Sequence, residues 1–410
     1  MDAPDSGVGG RRLAIRVTPD AERQLRGGHP WLYDASITSA PPDGRPGDLA
    51  VVFDARRRFL AIGLYDPASP IRVKVLHHGR PATIDATWWR DRVADARRLR
   101  APLEADDATT GYRCVNGEND GLPGVVLDRY ADTFVLKLYG EAWFAHLDAL
   151  VDAVVAVWAP PRLVLRWSRS ARAEAPIADG TTLVGAAPIA PVRFRENGLV
   201  FEADVVSGQK TGFFLDQRDN RARVRDRSVG RRVLDVFSFN GGFSVSAAAG
   251  GATLVHSVDI SPVAIAAVGR HLALNAELAS VRACRHEASV GDATEVMAAL
   301  RDAGRRFDVV VVDPPSFASR REQVPGALRA YGRLTELAVA LLEPGGTLVQ
   351  ASCTSRVSGD DLERVVTDAA ARAGARLRAV TRTGHAVDHP VTFAEGHYLD
   401  AVFATVEPRR

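Results

Sequence analysis

Two side chains in this 410-residue chain stand where chemistry is expected. Asp313 closes the run Val309-Val310-Val311-Val312-Asp313-Pro314-Pro315-Ser316-Phe317, and Cys353 sits in Gln350-Ala351-Ser352-Cys353-Thr354-Ser355. The valines read as a buried strand. Pro314 fixes its own φ, lacks an amide donor and holds Asp313 extended, so a carboxylate and two carbonyls face outward with little freedom. A rim of that kind grips the edge of a planar polar ring, with Phe317 beside it to stack. The plainer reading, a strand terminator followed by a helix-capping Ser316, leaves the carboxylate unexplained. Cys353 ends the strand expected next to the Asp313 strand. A thiolate there can attack an electron-poor ring carbon, and Asp313 can protonate or hydrogen-bond a ring nitrogen to ease that attack. Carbon 5 of cytosine or uracil is too weak a nucleophile to take a methyl group unaided. Thiolate addition at carbon 6 makes it enamine-like, and this pair of residues supplies what that reaction requires.

The elements that must position this pair begin near residue 230. Arg232–Phe237, Thr253–Asp259, Phe307–Asp313 and Gly345–Ser352 read as apolar strands alternating with helical segments, which predicts a parallel sheet covered on both faces. Ligands bind such sheets beyond the carboxyl ends of the strands. There the first strand runs into Phe237-Ser238-Phe239-Asn240-Gly241-Gly242-Phe243, whose glycine pair lets the backbone approach a ligand before a helix begins at Phe243. The second ends at Asp259, placed to accept hydrogen bonds from a ribose diol, and Asp292 marks a third edge. No G-x-G-x-x-G occurs, which disfavours NAD or FAD.

Upstream, residues 11–78 read as a small all-β module, and residues 85–190 as an α+β unit in which helical stretches flank a hairpin after the turn at 116–124. A fresh hairpin with an Asn197-Gly198 turn precedes the sheet. Charged residues make up 25% and the net charge is only +2, which fits a globular protein. No apolar run approaches a membrane span, and the first residues lack a secretory leader, so the expected location is the cytoplasm. Three scattered cysteines encode neither a disulfide framework nor a metal site. Arg-rich stretches at 162–172 and 218–232, the latter with seven Arg against two Asp, are expected to face a phosphate backbone or solvent. Only three Lys and six Asn occur, so Lys210, Asn220, Asn240 and Asn275 attract notice as retained residues.

The motifs around 235–244, 258–275, 313–317 and 352–355 resemble motifs I, II, IV and VI of class I S-adenosylmethionine (SAM) methyltransferases. Longer stretches are more specific: Gly208–Arg221 ("GQKTGFFLDQRDNR"), Asp120–Tyr130, Gly28–Asp34 and Asp388–Phe403. They resemble the RlmI-type 23S ribosomal RNA cytosine-5 methyltransferases in order along nearly the whole chain. The resemblance implies an α/β architecture: a PUA-like RNA-binding β domain (1–80), a central α+β domain (81–190) and a Rossmann-like methyltransferase domain with a mainly parallel seven-stranded sheet (191–410). It implies SAM as cofactor, bordered by Lys210, Thr211, Phe213, Gln217, Phe237, Asn240, Gly241, Gly242, Phe243, Asp259, Ile260, Asp292 and Asp313. Asp313 and the nucleophile Cys353 would be catalytic, and Pro314, Pro315, Phe317, His29 and Trp31 would meet the RNA. Expected partners are 23S ribosomal RNA or a large-subunit precursor and a second copy of the chain, with no membrane and no metal. Ser-Cys-Thr replaces the family's Ser-Cys-Ser, and Ser316 stands where many RNA cytosine-5 methyltransferases keep a second cysteine. Asp313, a water or His389 is left as the acceptor of the C5 proton. Rival readings are methylation at uracil C5 or guanine N7, a small-molecule methyltransferase, and a non-catalytic RNA-binding ribosome assembly factor.

Overall fold

The computed structural model describes residues 11–409; the stretch read above for a secretory leader lies largely outside the described residues. The chain divides into two compact units.

The first unit runs to Phe194 and also takes in Glu202–Phe214 and Asp388–Phe393. Its opening strands are β1 (Arg12–Val17), β2 (Trp31–Tyr33), β3 (Ile37–Ser39), β4 (Leu49–Phe53), β5 (Phe59–Tyr65) and β6 (Ile71–His78), joined in the order β2-β6-β5-β4-β1-β3. β1 alternates, with Leu13, Ile15 and Val17 inward. The module is not all β, because α1 (Pro19–Arg26) follows β1. Its start chemistry is complete: the Thr18 side chain accepts from Ala21 N, Pro19 opens the helix, and Asp20 and Glu22 fill its first turn. Then come α2 (Ala86–Leu99), α3 (Ala101–Glu104), β7 (Gly111–Asn116), β8 (Val125–Tyr130), β9 (Thr133–Leu138), α4 (Leu147–Trp158), β10 (Arg162–Trp167) and β11 (Thr182–Val184), with the strands in the order β11-β10-β9-β8-β7. Trp89, Trp143 and Trp167 are fully buried in the core between this sheet and its helices. A hairpin of β12 (Val192–Glu196) and β13 (Leu199–Ala203) follows, and the division between units falls within it. Asn197 and Gly198 turn it with φ of 51° and 81°, the primed geometry that suits a tight hairpin.

The second unit holds α5 (Arg218–Arg225) and a seven-stranded sheet: β14 (Arg232–Val236), β15 (Leu254–Asp259), β16 (Arg285–Val290), β17 (Phe307–Val312), β18 (Leu342–Ser352), β19 (Ala375–Thr383) and β20 (Asp400–Pro408). Their order is β16-β15-β14-β17-β18-β20-β19, parallel except for β20, which runs against both its neighbours. Helices α6 (Gly242–Ala249), α7 (Pro262–Leu274), α8 (Ala279–Ala283), α9 (Ala293–Asp302), α10 (Val324–Leu341) and α11 (Gly359–Arg372) accompany the sheet, with one apolar cluster around Phe243 and Val255 and another around Tyr331 and Leu334. Strand order reverses between β14 and β17, which places the ligand crevice at their carboxyl ends. Among the described residues no helix is long and apolar enough to cross a membrane.

Candidate active site

The pairing of β17 with β18 sets Val312 opposite Gln350, so the segments that leave these two strands start side by side. Pro314 is buried beneath the rim, while Pro315 and Ser316 are exposed and Ser316 caps no helix, the next turn starting only at Arg321. Cys353 follows the last residue of β18 and is half-buried, its Sγ 3.5 Å from the Pro314 carbonyl oxygen. Its neighbours pin it from both sides. Ser352 Oγ and Tyr331 Oη are 2.8 Å apart, and Thr354 Oγ1 donates to the Ala318 carbonyl at 2.6 Å. Thr354 thus ties the Cys353 segment to the loop that carries Pro314 and Pro315. Burial, reinforced by Cys353 and Asp313, pushes the Tyr331 phenol up to about 12, so it stays a neutral hydroxyl. The Phe317 ring packs 5.2 Å from that of Tyr331 and forms part of the wall.

Asp313 keeps some contact with solvent but is densely surrounded. Burial, then the neighbouring carboxylates Asp216 and Asp235, push its carboxyl up to about 7, against the opposing pull of Arg221 and a hydrogen bond. That bond comes from Gln217 Nε2 to Asp313 Oδ1 at 2.9 Å. Asp216 accepts from Tyr398 Oη at 3.0 Å. At this pKa Asp313 populates both protonation states near neutrality, the condition for exchanging a proton with a ring nitrogen.

The crossing from β14 to α6 is strained: Phe237, Phe239 and Gly241 take φ of 63°, 47° and 84°. Two non-glycine residues in the left-handed region are held there by neighbours. Ser238 N donates to the Val258 carbonyl at 3.0 Å, Phe239 N to Asp259 Oδ2 at 2.9 Å, and the His271 ring to the Asn240 carbonyl at 2.7 Å. Ser261 N donates to the other Asp259 oxygen, also at 2.9 Å. Next to Asp259, Ile260 is 73% exposed. Asp235 is fully buried, and burial raises its carboxyl to about 6 although Ser244 Oγ donates to Oδ2 at 2.6 Å. Asp235 Oδ1 and Ser238 Oγ are buried without a hydrogen-bond partner.

Residues 163–397 match the family of S-adenosylmethionine-dependent methyltransferases, and residues 15–78 match the PUA-like domain. A ribosomal RNA large subunit methyltransferase of Deinococcus radiodurans is 47% identical over 99% of this chain and all of its own. A ribosomal RNA large subunit methyltransferase I of Shewanella denitrificans is 35% identical over 96% of this chain and 99% of its own. The chain belongs to the RlmI-like family of large-subunit ribosomal RNA methyltransferases. A proposed SAM-dependent methyltransferase from Streptococcus mutans shares the fold with a TM-score of 0.81 at 20% identity, covering 96% of this chain and 99% of its own. A second structure described as a proposed methyltransferase, complexed with SAH, has the same score at 21% identity, over 96% of this chain and 100% of its own. The N-terminal six-stranded sheet is therefore PUA-like, the five-stranded sheet forms a middle domain, and the seven-stranded sheet is the Rossmann-like SAM methyltransferase domain of this family.

The loop fits the cofactor of this family. An acid anchored by two backbone amides stands beside an exposed apolar side chain, as an adenosine needs, and two buried polar atoms await partners. Asp235 and Ser238 were not singled out in the sequence; their signal is the unmet polar atom, visible only after folding. Asp292 is also a helix cap, its Oδ1 accepting from Thr294 N and Glu295 N. The Phe243 side chain is 6% exposed within the core, so only its backbone at the start of α6 is available to a ligand, and the helix begins one residue earlier than expected. In the first unit, Lys210 is exposed at φ 54° with its ammonium 4.2 Å from the Phe214 ring. Thr211 is buried, donating to Asp128 Oδ2 at 2.6 Å and lying 3.0 Å from Tyr130 Oη. Phe213 is buried against Phe194. His29 and Trp31 join Tyr33 and Phe393 in a half-buried aromatic group, with the Trp31 indole donating to Glu118 at 2.9 Å. Phe393 and Glu118 escaped the sequence reading because their segments are far apart along the chain.

The Arg-rich stretches are not open phosphate-binding faces throughout. Arg221 is buried in a two-pronged pair with Glu196, both bonds 2.6 Å, and Arg218 is buried as well. Arg232 pairs with Asp308 and Glu343, and Arg166 with Asp179. Helical and strand periodicity turn every third or second side chain inward, so a run of arginines necessarily sends some to the interior.

Proposed function

We propose that the chain methylates carbon 5 of a cytosine in 23S ribosomal RNA, in the cytoplasm, through a covalent adduct with Cys353. The observation that carries this reading is the placement of a half-buried thiol 3.5 Å from the carbonyl of the proline that follows Asp313. Nucleophile and acid then flank one crevice. Cys353, as thiolate, adds to carbon 6 of the base, and Asp313 delivers its proton to the ring nitrogen, which leaves carbon 5 as the nucleophilic end of an enamine. SAM, when bound, supplies the electrophilic methyl group for that carbon. The C5 proton leaves to solvent, the ring-nitrogen proton returns to the Asp313 carboxylate, and expulsion of the Cys353 thiolate restores the aromatic base. Asp259, Ile260, Phe237, Asn240–Gly242, the Phe243 backbone, Asp292 and Gln217 would hold the cofactor, with Lys210, Thr211 and Phe213 on the segment that leads into it and Asp313 at the shared border. Pro314, Pro315 and Phe317 would frame the base, and the group around His29 and Trp31 would contact RNA. Boundaries at 80 and 190 are the proposed domain limits.

Nucleoside mass spectrometry of 23S RNA from a deletion strain tests the reaction. Loss of one 5-methylcytidine, restored by the wild-type chain and not by Cys353→Ala, is expected. Full restoration by Cys353→Ala, or loss of a different methylated nucleoside, overturns the reading.

A further inference from the structure

The hydrogen bond on Asp313 ends a longer chain with a direction. Thr383 Oγ1, at the end of β19, donates to Asn220 Oδ1 at 2.6 Å. Asn220 Nδ2 donates to Gln217 Oε1 at 2.6 Å, and Gln217 Nε2 donates to Asp313 Oδ1 at 2.9 Å. Both amides are buried, 1% and 4% exposed, so water competes little for these hydrogen bonds. Each turns its carbonyl toward Thr383 and its NH2 toward Asp313. Two polarities of this chain are self-consistent. With its donors aimed at Asp313, it suits a carboxylate. With both amides turned over, Gln217 offers a carbonyl, which only a protonated carboxyl can satisfy. Turning one amide alone sets carbonyl against carbonyl or NH2 against NH2, which burial makes costly.

We propose that Thr383, Asn220 and Gln217 form a positioning relay that reserves Asp313 Oδ1, confining the proton exchanged with the substrate ring to Oδ2. This deepens the cytosine-C5 reading and rests on it. The relay acts in a crowded field: Asp216 and Asp235 face Asp313 from the segment before α5 and from β14, Arg221 opposes them from α5, and Cys353 and Tyr331 share the site. Loss of a donor to the relay weakens its hold on the carboxylate, so the Asp313 limb of the rate profile is expected to move to higher pH.

The test uses the full chain and 23S RNA, with single-turnover methyl transfer followed across pH and product identified in every run. Thr383→Val should lower the rate about 3- to 10-fold and raise that limb. SAM affinity should be unchanged, and Thr383→Ser should restore both rate and limb. Asn220→Asp, which keeps the shape but presents only acceptors when ionised, should raise the limb further, and it serves if the valine variant fails to fold. An unmoved limb in folded variants, or a loss explained by weaker SAM affinity alone, overturns the relay. A product other than 5-methylcytidine overturns the functional reading instead, whatever the limb does, so the two failures are separable.

Discussion

Asp313 keeps a proton near neutrality because of what surrounds it. Burial disfavours its charge, and Asp216 and Asp235 add to that. A folded-state pKa raised above the ordinary carboxyl value means that the folded protein binds more protons than the unfolded chain between about pH 4 and 7. The contribution to stability is therefore full below pH 4 and lost as pH rises through 7. Asp313→Asn, which still accepts from Gln217, should leave the apo melting temperature near wild type at pH 4 and raise it above pH 7. The expected gain is about 2 kcal/mol, discounted for partial solvent contact; an equal gap at both pH values contradicts it. The same variant should lose about 10²- to 10⁴-fold in methyl transfer. Thr354→Val removes the tie to Ala318 and should cost about 1 kcal/mol and a measurable share of the rate, while Thr354→Ser restores both. Asp313 and Cys353 were legible because each directly follows an apolar strand as a residue that strand does not need. Thr383 carried no signal, since a relay member is defined by partners 163 positions away.

The loop from β14 to α6 owes its shape to strain. Gly241 has φ 84°, and a Cβ placed there would meet Val268 at 2.8 Å. Gly241→Ala should therefore weaken SAM binding measured by calorimetry at least tenfold, with a smaller fall in melting temperature. Unchanged affinity would show that the loop does not shape the cofactor site. The hairpin turn is tied to α5 by the buried Glu196–Arg221 pair, and Glu196→Ala leaves a guanidinium without its carboxylate. The expected cost is about 3–5 kcal/mol by chemical denaturation. Strands β14, β15, β17 and β18 were readable from their apolar runs. β16 was not singled out, because all its residues are exposed or half-exposed and include Arg285 and Glu287, as an edge strand permits. α1 was hidden because its eight residues carry only two buried side chains.

At the scale of the whole molecule, the resemblance motifs divide into chemistry and structure. Asp120 and Asp388 lie in two of the longer motifs, and both serve Arg100, whose side chain is fully buried. Arg100 holds Asp120 through two bonds of 2.7 Å and donates to the Asp388 carbonyl at 2.7 Å. Asp388 Oδ2 in turn accepts from Arg113 N. This cluster fastens the Asp388–Phe393 segment to the first unit. Asp120→Ala leaves the buried Arg100 guanidinium without that carboxylate and should cost about 3–5 kcal/mol, read by chemical denaturation. The architecture was legible from alternation and turn residues plus the resemblance, whereas the internal pairing of arginines was not, because composition does not say which way a side chain turns. The central claim, a bond between Cys353 and a pyrimidine, can be tested with 23S RNA carrying 5-fluorocytidine in place of cytidine, incubated with SAM and the full chain. Fluorine cannot leave as a proton does, so a denaturant-stable complex should accumulate with Cys353 as the modified residue by peptide mass spectrometry, and Cys353→Ala should form none. A complex that forms equally with Cys353→Ala, or wild-type turnover of the fluorinated RNA without a complex, would contradict it.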